Sequence, residues 1–268
     1  MIDLHCHILP GIDDGSPVLE TSLAMARIAV NDGIKTLACT PHIYPGMYEN
    51  DAAGIRAGTI ALQLALDNAG IPLKLTYASD THVAPNLIER LKEGSVPTFN
   101  GGRYFLLEPP HHVQPPNFEG YVFNVLAAGY TPIITHPERL SWIEDDYAAF
   151  VKLAKNGAWM QLTSGSLTGR FGNNARYWAE RMLDEGLVHI LATDSHSPER
   201  RPPLLREGVE AAAKGVGAAE AESMVTSRPQ AVLEKLEAAD VTPILALRED
   251  KTQPARGFFA KIKRIFSA

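Results

Sequence analysis

The stretch Ile2-Asp3-Leu4-His5-Cys6-His7 begins as an apolar strand and ends in a pair of histidines. Successive side chains of a strand point to opposite faces, so His5 and His7 share one face while Cys6 points into the packing behind it. A His-x-His pair at a strand end can hold one metal ion through two imidazoles, although such a pair can also be structural. The rest of the chain decides between these interpretations.

A short apolar strand followed by a metal-binding side chain recurs along the chain. Five further predicted strands end in such residues, which are His42, Asp80, Glu108, His136 and the pair Asp194 and His196. Glu108 closes the apolar run Tyr104–Leu107, where an unpaired carboxylate would be costly to bury and where metal coordination removes that cost. Six strands that end in this way indicate side chains that converge on one metal-rich site.

Predicted strands and helices alternate, which indicates parallel β-α units in one large α/β domain. Strands are expected over 2–5, 35–40, 73–79, 104–108, 132–135, 159–163 and 189–193, and helices over 18–32, 52–69, 85–92, 118–128, 147–156, 175–185, 204–214, 218–227 and 229–238. These units can close into a barrel or form an open doubly wound sheet. An open sheet concentrates its site at one crevice, whereas a barrel draws functional residues from many strand ends. The candidate ligands therefore favour the barrel.

Composition excludes several classes of protein. The 268 residues are 45% hydrophobic and 21% charged, which is ordinary for a globular protein. No apolar run approaches the roughly 18 to 20 residues of a membrane span, and the immediate entry into a strand leaves no room for a signal peptide. The two cysteines, Cys6 and Cys39, provide no disulfide framework and are typical of a reducing cytoplasm. We therefore expect a cytoplasmic protein.

The C-terminal segment differs in charge from the rest of the chain. Residues 251–268 contain five of the 25 basic residues and none of the 31 acidic ones, so the rest of the chain carries a net charge of −11. Such an acidic body binds nucleic acid poorly, and we expect no nucleic-acid partner. We divide the chain into a barrel over 1–240 and an extension over 241–268.

Within this extension, residues 257–268 predict a basic amphipathic helix. One helical face would carry Phe258, Phe259, Ile262, Ile265 and Phe266. Such a helix could lie on the anionic inner face of a membrane or dock on a partner. Packing on its own barrel, or on a second subunit in a homo-oligomer, is the alternative.

The candidate ligands are imidazoles and carboxylates, with no thiolate among them. This set suits Mn, Fe or Zn and is unlike a Cys-rich structural zinc site. The ligands are too many for one four-coordinate ion, so two or three divalent metals are expected. Clustered metals activate water and clamp a phosphate or ester oxygen. Asp13-Asp14-Gly15 has two interpretations, a turn that caps the next helix or a ligand at Asp14.

Several longer motifs occur in a fixed order along the chain. They are His5-Cys6-His7-Ile8-Leu9-Pro10-Gly11-Ile12-Asp13-Asp14-Gly15, Thr40-Pro41-His42, Thr135-His136-Pro137-Glu138-Arg139, Gly165-Ser166-Leu167-Thr168-Gly169-Arg170-Phe171-Gly172, Ala192-Thr193-Asp194-Ser195-His196 and Arg201-Pro202-Pro203. Together they resemble the PHP (polymerase and histidinol phosphatase) superfamily. More closely, the chain is similar to the CpsB-like metal-dependent protein-tyrosine phosphatases of bacterial capsule and exopolysaccharide loci. The resemblance extends over residues 1–238.

This resemblance implies a distorted (β/α)7 barrel, of the TIM type, with three metals at its C-terminal mouth and manganese as the first choice. The implied ligands are His5, His7 and Asp194 for one metal, Glu108 and His136 for a second with Asp80 between the two, and Asp14, His42 and His196 for a third. Arg139 and Arg201 fall where the family binds phosphate, and guanidinium forks suit phosphate oxygens. Several members of the family carry Glu where this chain has the shorter Asp80.

The implied activity is hydrolysis of phosphotyrosine in proteins by in-line attack of a metal-bridging hydroxide. The implied partner is the tail of a membrane-bound tyrosine kinase that controls polysaccharide export. A cysteine mechanism is disfavoured, because a Cys-x5-Arg motif would need arginine where the chain has Ile12 and Pro45. Cys6 and Cys39 are therefore expected to be structural.

Other functions remain open on the sequence. One is another PHP phosphomonoesterase, such as a histidinol-phosphate or sugar-phosphate phosphatase. A second is an amidohydrolase-type C–N hydrolase, although that class usually has a lysine where this chain has Glu108. A third is a metal-binding module without catalysis, if Asp80 breaks the site.

Weaker candidates surround the predicted ligands. His111 and His112 are expected to be exposed loop residues, with substrate contact as the alternative, and His82 is an outside candidate for the site. Gln161 and Arg170 are expected to support the site, and His189, at the other end of its strand, to be structural.

Overall fold

The computed structural model describes residues 1–248, and these form nine strands and ten α-helices. In chain order they are β1 (Ile2–Cys6), α1 (Leu19–Asp32), β2 (Thr36–Cys39), β3 (His42–Ile43), α2 (Ala52–Asn68), β4 (Lys74–Tyr77), β5 (Asp80–His82), α3 (Leu87–Glu93), β6 (Tyr104–Glu108), α4 (Phe118–Ala127), β7 (Thr131–Thr135), α5 (Ile143–Lys155), β8 (Trp159–Thr163), α6 (Ser164–Leu167), α7 (Gly172–Asp184), β9 (Ile190–Ala192), α8 (Arg206–Val216), α9 (Ala218–Ser223) and α10 (Ser227–Leu233). The alternation confirms the predicted α/β class.

The strands pair in parallel around a ring. One set of pairings has the order β1-β2-β4, and the other has the order β3-β5-β6-β7-β8-β9. β3 continues β2 after the short break at Thr40-Pro41, and β5 continues β4 after a similar break, so the ring has seven strand positions. β9 meets β1 through the amide of Asp194, which donates to the His5 carbonyl at 2.8 Å, and the amide of His7, which donates to the Ser195 carbonyl at 2.9 Å. This arrangement agrees with the predicted barrel.

Two apolar layers hold the ring in place. Inward-facing residues form one cluster, which includes Leu106, Ile133, Trp159 and Ile190. The alternate residues of the same strands pack outward against the helices in a larger cluster. Because side chains of one face recur every second residue, the inward rows lead directly to polar residues at the strand ends. For example, Tyr104 and Leu106 lie on the same face as Glu108.

The predicted element bounds differ from the structure in instructive places. The predicted strands 35–40 and 73–79 stop short of His42 and Asp80. In the structure these two residues lie in the short strands β3 and β5. α5 begins at Ile143 and not at 147, and its backbone departs from helical angles at Asp146, close to the predicted start. α10 ends at Leu233, earlier than the predicted 238, and is followed by a residue in the left-handed region, Lys235.

The C-terminal part of the chain is described up to residue 248. No helix within residues 1–248 is long and apolar enough to cross a membrane. Ile244 is buried against the barrel, and the amide of Ala246 donates to the Gly186 carbonyl at 3.1 Å. The predicted division near residue 240 stays a prediction, and the predicted amphipathic helix over 257–268 lies outside the described residues.

Candidate metal centre

All nine predicted ligands lie together at the carboxyl ends of the strands. Each belongs to at least one group of His, Asp or Glu residues whose ligand atoms lie within 4.8 Å of one another. The groups are His5/His7/Asp80, His5/His136/Asp194, His7/Asp14/His42/His196, His42/Asp80/Glu108 and Glu108/His111/His136. The convergence expected from the strand ends is therefore present.

The first predicted set surrounds Asp194. Its Oδ1 lies 3.3 Å from His5 Nε2 and 3.4 Å from His7 Nε2, and the two imidazole nitrogens are 3.1 Å apart. Asp194 follows β9 in the left-handed region with φ of 49°, a conformation that aspartate tolerates better than most residues. This turn brings the Asp194 carboxylate close to His5 in β1 and to His7 just after it.

The third predicted set lies beside the first. Asp14 Oδ1 is 3.4 Å from His42 Nε2 and 3.3 Å from His196 Nε2, and His7 belongs to the same group. Asp14 is half exposed, so this set faces the mouth of the barrel. The alternative role of Asp13-Asp14-Gly15 as a helix cap is wrong, since the residue that precedes α1 is Val18 and no side chain caps that helix.

The second predicted set is looser. Glu108 Oε1 lies 3.6 Å from His136 Nε2, and Glu108 Oε2 lies 3.3 Å from His42 Nδ1. Asp80 Oδ2 lies 3.4 Å from His5 Nε2 and 3.5 Å from His42 Nδ1. Asp80 is thus placed between the first set and His42. Among residues 1–248, it shares no ligand group with His136.

Two hydrogen-bond partners of the ligands hold the imidazoles in position. Asp13 Oδ2 accepts from His7 Nδ1 at 2.7 Å and from the His42 amide at 3.1 Å, and Gln161 Oε1 lies 2.8 Å from His5 Nδ1. Each partner fixes the ring orientation and leaves Nε2 for the site, as is usual for metal-binding histidines. Gln161 was predicted to support the site, whereas Asp13 was considered only as part of a turn.

The pKa values divide the histidines into two groups. Burial opposes protonation of His5 and His42, but nearby carboxylates raise the pKa of His5 to about 9 and that of His42 to about 12. Burial and Arg139 hold the pKa of His136 well below its usual range, and burial and His7 lower the pKa of His196 to about 4. Nearby carboxylates raise the pKa values of His5 and His42 because they stabilise the positively charged imidazolium. The same carboxylates would attract metal cations.

Unpartnered buried atoms show that the residues fit divalent cations. Both carboxylate oxygens of Asp80, together with Nδ1 of His42 and of His136, have no hydrogen-bond partner among residues 1–248. Buried polar atoms are normally hydrogen-bonded, and each exception has an energetic cost. A divalent cation bound beside Asp80 would satisfy its two carboxylate oxygens, which are ligands that such cations accept.

The two predicted phosphate-binding arginines meet at the same carboxylate. Arg139 Nη1 and Arg201 Nη2 both contact Asp194 Oδ2. Their guanidinium carbons lie 4.3 Å and 5.6 Å from the centre of the Phe171 ring, which stacks beneath both. Phe171 belongs to the motif Gly165–Gly172, and the contact gives this motif a physical role that the sequence alone did not indicate.

A cavity of about 460 Å³ opens above these groups. One wall is formed by Tyr44, Met47 and Tyr48, and the Tyr48 ring stacks on His42 with centroids 5.5 Å apart. Tyr44 stacks on His82 at 3.8 Å. Sequence reasoning missed all three wall residues, although they follow the Thr40-Pro41-His42 motif within six positions. Their position shows that the cavity combines a charged floor with an aromatic wall.

The weaker sequence candidates have separate outcomes. His111 lies 3.4 Å from Glu108 Oε1 and is only partly exposed, so the expectation of an exposed loop residue does not describe it, whereas His112 is exposed; both line the cavity. His82 Nδ1 lies 3.6 Å from Glu108 Oε2, and Arg170 pairs with Glu207 at 2.8 Å. His189 is structural as predicted, with its ring stacked on Trp159 and its Nδ1 accepting from the Met160 amide. Both cysteines are free and buried.

The comparison with known proteins identifies the family. The model of the family "Capsular polysaccharide synthesis, CpsB/CapC" matches residues 1–234. The chain belongs to the CpsB/CapC family. This result confirms the resemblance drawn from the motifs, and those motifs line the mouth of the CpsB/CapC barrel described here.

Individual relatives of this CpsB/CapC member are named tyrosine phosphatases. The tyrosine-protein phosphatase YwqE of Bacillus subtilis is 35% identical over 201 residues, which cover 75% of this chain and 79% of YwqE. The tyrosine-protein phosphatase CpsB of Streptococcus pneumoniae is 27% identical over 238 residues, which cover 87% of this chain and 98% of CpsB.

A solved structure supports the fold. It comes from work on YwqE of Bacillus subtilis and CpsB of Streptococcus pneumoniae, described as unique metal-dependent tyrosine phosphatases. The alignment has a TM-score of 0.83 and 33% sequence identity, and it covers 88% of this chain and 95% of the other. The predicted fold class is therefore confirmed by both the strand pairings and this likeness.

Proposed function

We propose that this protein is a metal-dependent phosphatase that hydrolyses phosphotyrosine in a protein substrate. The observation that carries the proposal is that six of the nine imidazole and carboxylate side chains line one cavity together with two arginines, and the other three belong to the same ligand groups. The relatives named above are tyrosine-protein phosphatases, which favours this substrate over histidinol phosphate or a sugar phosphate. A C–N hydrolase is disfavoured, because Glu108 occupies the strand end where that class usually has lysine.

The metal ligands proposed for this chain follow the three predicted sets. Bound divalent ions would activate water for attack and clamp oxygens of the phosphate. The ligand set includes four carboxylates, whose negative charge bound cations would offset when a phosphomonoester dianion enters. These carboxylates belong to Asp14, Asp80, Glu108 and Asp194. We propose manganese as the metal, since nitrogen and oxygen ligands without thiolate suit it, and two or three ions as the complement.

The two arginines are proposed to bind the phosphate group. Each guanidinium presents several N–H donors in one plane, and this arrangement matches phosphate oxygens. Phe171 supports both planes from below, so the arginines keep their orientation over the cavity. They would neutralise the charge on the equatorial oxygens during in-line transfer.

The aromatic wall is proposed to receive the phenyl ring of phosphotyrosine. Tyr44, Met47, Tyr48 and Val113 line the cavity, and both Met47 and Val113 are largely exposed. Exposed apolar groups at the rim of a polar cavity favour a substrate that is apolar beside its charge. A phenolate leaves readily, because the pKa of its parent phenol is about 10, so no dedicated general acid is assigned.

The partner is proposed to be the phosphorylated tail of a membrane-bound tyrosine kinase of polysaccharide export. The family description of capsular polysaccharide synthesis supports this choice of process. An open cavity mouth would admit a tyrosine on an extended segment. We propose a cytoplasmic location, with the basic segment 257–268 as the part that approaches the membrane surface.

A substrate panel tests the proposal. The full-length protein, reconstituted with Mn²⁺, is assayed on a phosphotyrosine peptide, histidinol phosphate and a neutral amide, before and after exhaustive chelation. We expect the highest kcat/KM on the phosphotyrosine peptide, loss of turnover on chelation and recovery when Mn²⁺ is restored. Preference for histidinol phosphate or the amide, or full turnover after chelation, would refute the assignment.

A further inference from the structure

One histidine outside the predicted ligand set lies within the metal centre. His111 Nε2 is 3.4 Å from Glu108 Oε1, and the His111 ring stacks on the His136 ring with centroids 4.9 Å apart. The three residues form one group whose ligand atoms all lie within 4.8 Å of one another. The distance between His111 and Glu108 is thus similar to the distances of 3.3 Å and 3.6 Å that separate pairs of predicted ligands.

The backbone holds His111 over the site. The His111 carbonyl accepts from the amide of Ser141 at 2.9 Å and from its hydroxyl at 3.1 Å. Next to it, the Pro110 carbonyl accepts from Trp142 Nε1 at 2.9 Å. The loop after β6 is therefore tied to the segment that follows His136, so the two histidines are positioned by the same contact.

Within residues 1–248, His111 is the residue that shares a ligand group with both Glu108 and His136. Asp80 shares a group with Glu108 but, within residues 1–248, none with His136. Two ligand atoms that each lie about 2.1 Å from one tetrahedral ion are roughly 3.4 Å apart. The separations from Glu108 Oε1, 3.4 Å to His111 and 3.6 Å to His136, match that spacing.

We propose that His111 is a metal ligand and completes the set formed by Glu108 and His136. The neutral imidazole of His111 would donate a nitrogen lone pair to the divalent ion, as His136 does. His112, the next residue, is exposed and has no contact with Glu108 among those the structure describes. The proposal rests on the metal-dependent function proposed above, but it does not depend on the identity of the substrate.

The test measures Mn²⁺ binding to the full-length protein without substrate. Wild type, His111→Ala and the matched control His112→Ala are stripped of metal, dialysed against graded free Mn²⁺ and analysed for bound metal. We expect His111→Ala to bind one ion at least about tenfold more weakly than wild type does, or to lose it, and His112→Ala to match wild type. With Co²⁺ in place of Mn²⁺, the visible absorption bands should change in His111→Ala alone, because the ion loses a nitrogen ligand.

Each other outcome has a defined meaning. Unchanged Mn²⁺ affinity and stoichiometry in His111→Ala, or an equal loss in His112→Ala, would overturn the proposal. If His111→Ala does not fold, His111→Gln preserves size and polarity, and it must show the same weakened binding. A wild-type protein that binds no Mn²⁺ would contradict both proposals. Normal metal binding that depends on His111, without turnover of phosphotyrosine, would contradict the proposed function alone.

Discussion

At the amino-terminal end of the barrel, the buried guanidinium of Arg228 is surrounded by acceptors, whereas at the carboxyl end the buried carboxylate of Asp80 has no hydrogen-bond partner among residues 1–248. Arg228 Nη2 donates to Glu220 Oε1 at 2.6 Å, and its other nitrogens donate to the carbonyls of His189 and Thr242. Both groups lie entirely out of contact with solvent. The difference separates a hydrogen-bonded ion pair from a carboxylate that lies 3.4 Å and 3.5 Å from the imidazole nitrogens of His5 and His42, within the candidate metal centre.

The largest effect on activity is expected at the carboxyl end. Arg139→Met should lower kcat/KM on a phosphotyrosine peptide by about 10²- to 10³-fold, because a donor to the phosphate is lost. Arg176→Met is the control, since Arg176 is exposed and pairs only with Glu180 of its own helix among the described contacts. Steady-state kinetics with parallel measurement of bound metal separate a lost phosphate contact from a lost ion. A change below about tenfold would remove Arg139 from the proposed site.

The largest effect on stability is expected at the amino-terminal end. Arg228→Met leaves the nearly buried Glu220 with Arg248 as its remaining partner, and we expect a loss of about 3 kcal/mol in the free energy of unfolding. Urea denaturation measures it. Arg248→Met should cost less, because the Arg248 side chain is one-third exposed. Since this end lies away from the cavity, kcat should be unchanged in Arg228→Met, and a large fall in kcat would break the division between the two ends.

The smallest effect concerns pH and also belongs to the amino-terminal end. Burial, with Arg228 nearby, holds the pKa of His189 well below its ordinary value of about 6.5. The unfolded chain therefore takes up this proton first as the pH falls, and stability is present above about pH 6.5 and lost below it. The slope is about 1.4 kcal/mol per pH unit for one proton.

The matched variant for this prediction is His189→Gln, which removes the titrating group. Unfolding free energies of metal-free wild type and variant, measured between pH 7 and pH 5, should differ in slope. The wild-type curve should fall more steeply with acid by about one proton equivalent. Parallel curves for the two proteins would show that His189 does not titrate in this range on unfolding.

The sequence predicted the ligand residues better than it predicted their partners. A His-x-His pair and acidic residues at strand ends are local sequence features, so the sequence alone picks out all nine residues that the structure brings together as candidate ligands. Which of these residues share a ligand group is less evident from the sequence. Asp80 was expected between the His5/His7/Asp194 set and the Glu108/His136 set, and its groups contain His5 and His7 from the first set and Glu108 from the second, but not His136.

The sequence alone did not predict the contacts that three residues make at the site. Asp13 orients His7, Phe171 lies beneath two arginines, and His111 reaches Glu108 across the mouth. Each has an ordinary local interpretation, as a turn, an apolar residue or a loop histidine. Their roles depend on chain segments that meet only in the folded state.

The sequence by itself determined the α/β class, the family, the metal-binding residue types and the two arginines, because strand periodicity and motif order are local properties of the chain. The tertiary structure alone decided which ligands share a group, what supports the guanidinium planes and where the aromatic wall stands. These features arise from contacts between residues far apart in the chain, such as His5 with Gln161 and Arg139 with Asp194. Distances of this kind are set by how the strands close into a ring.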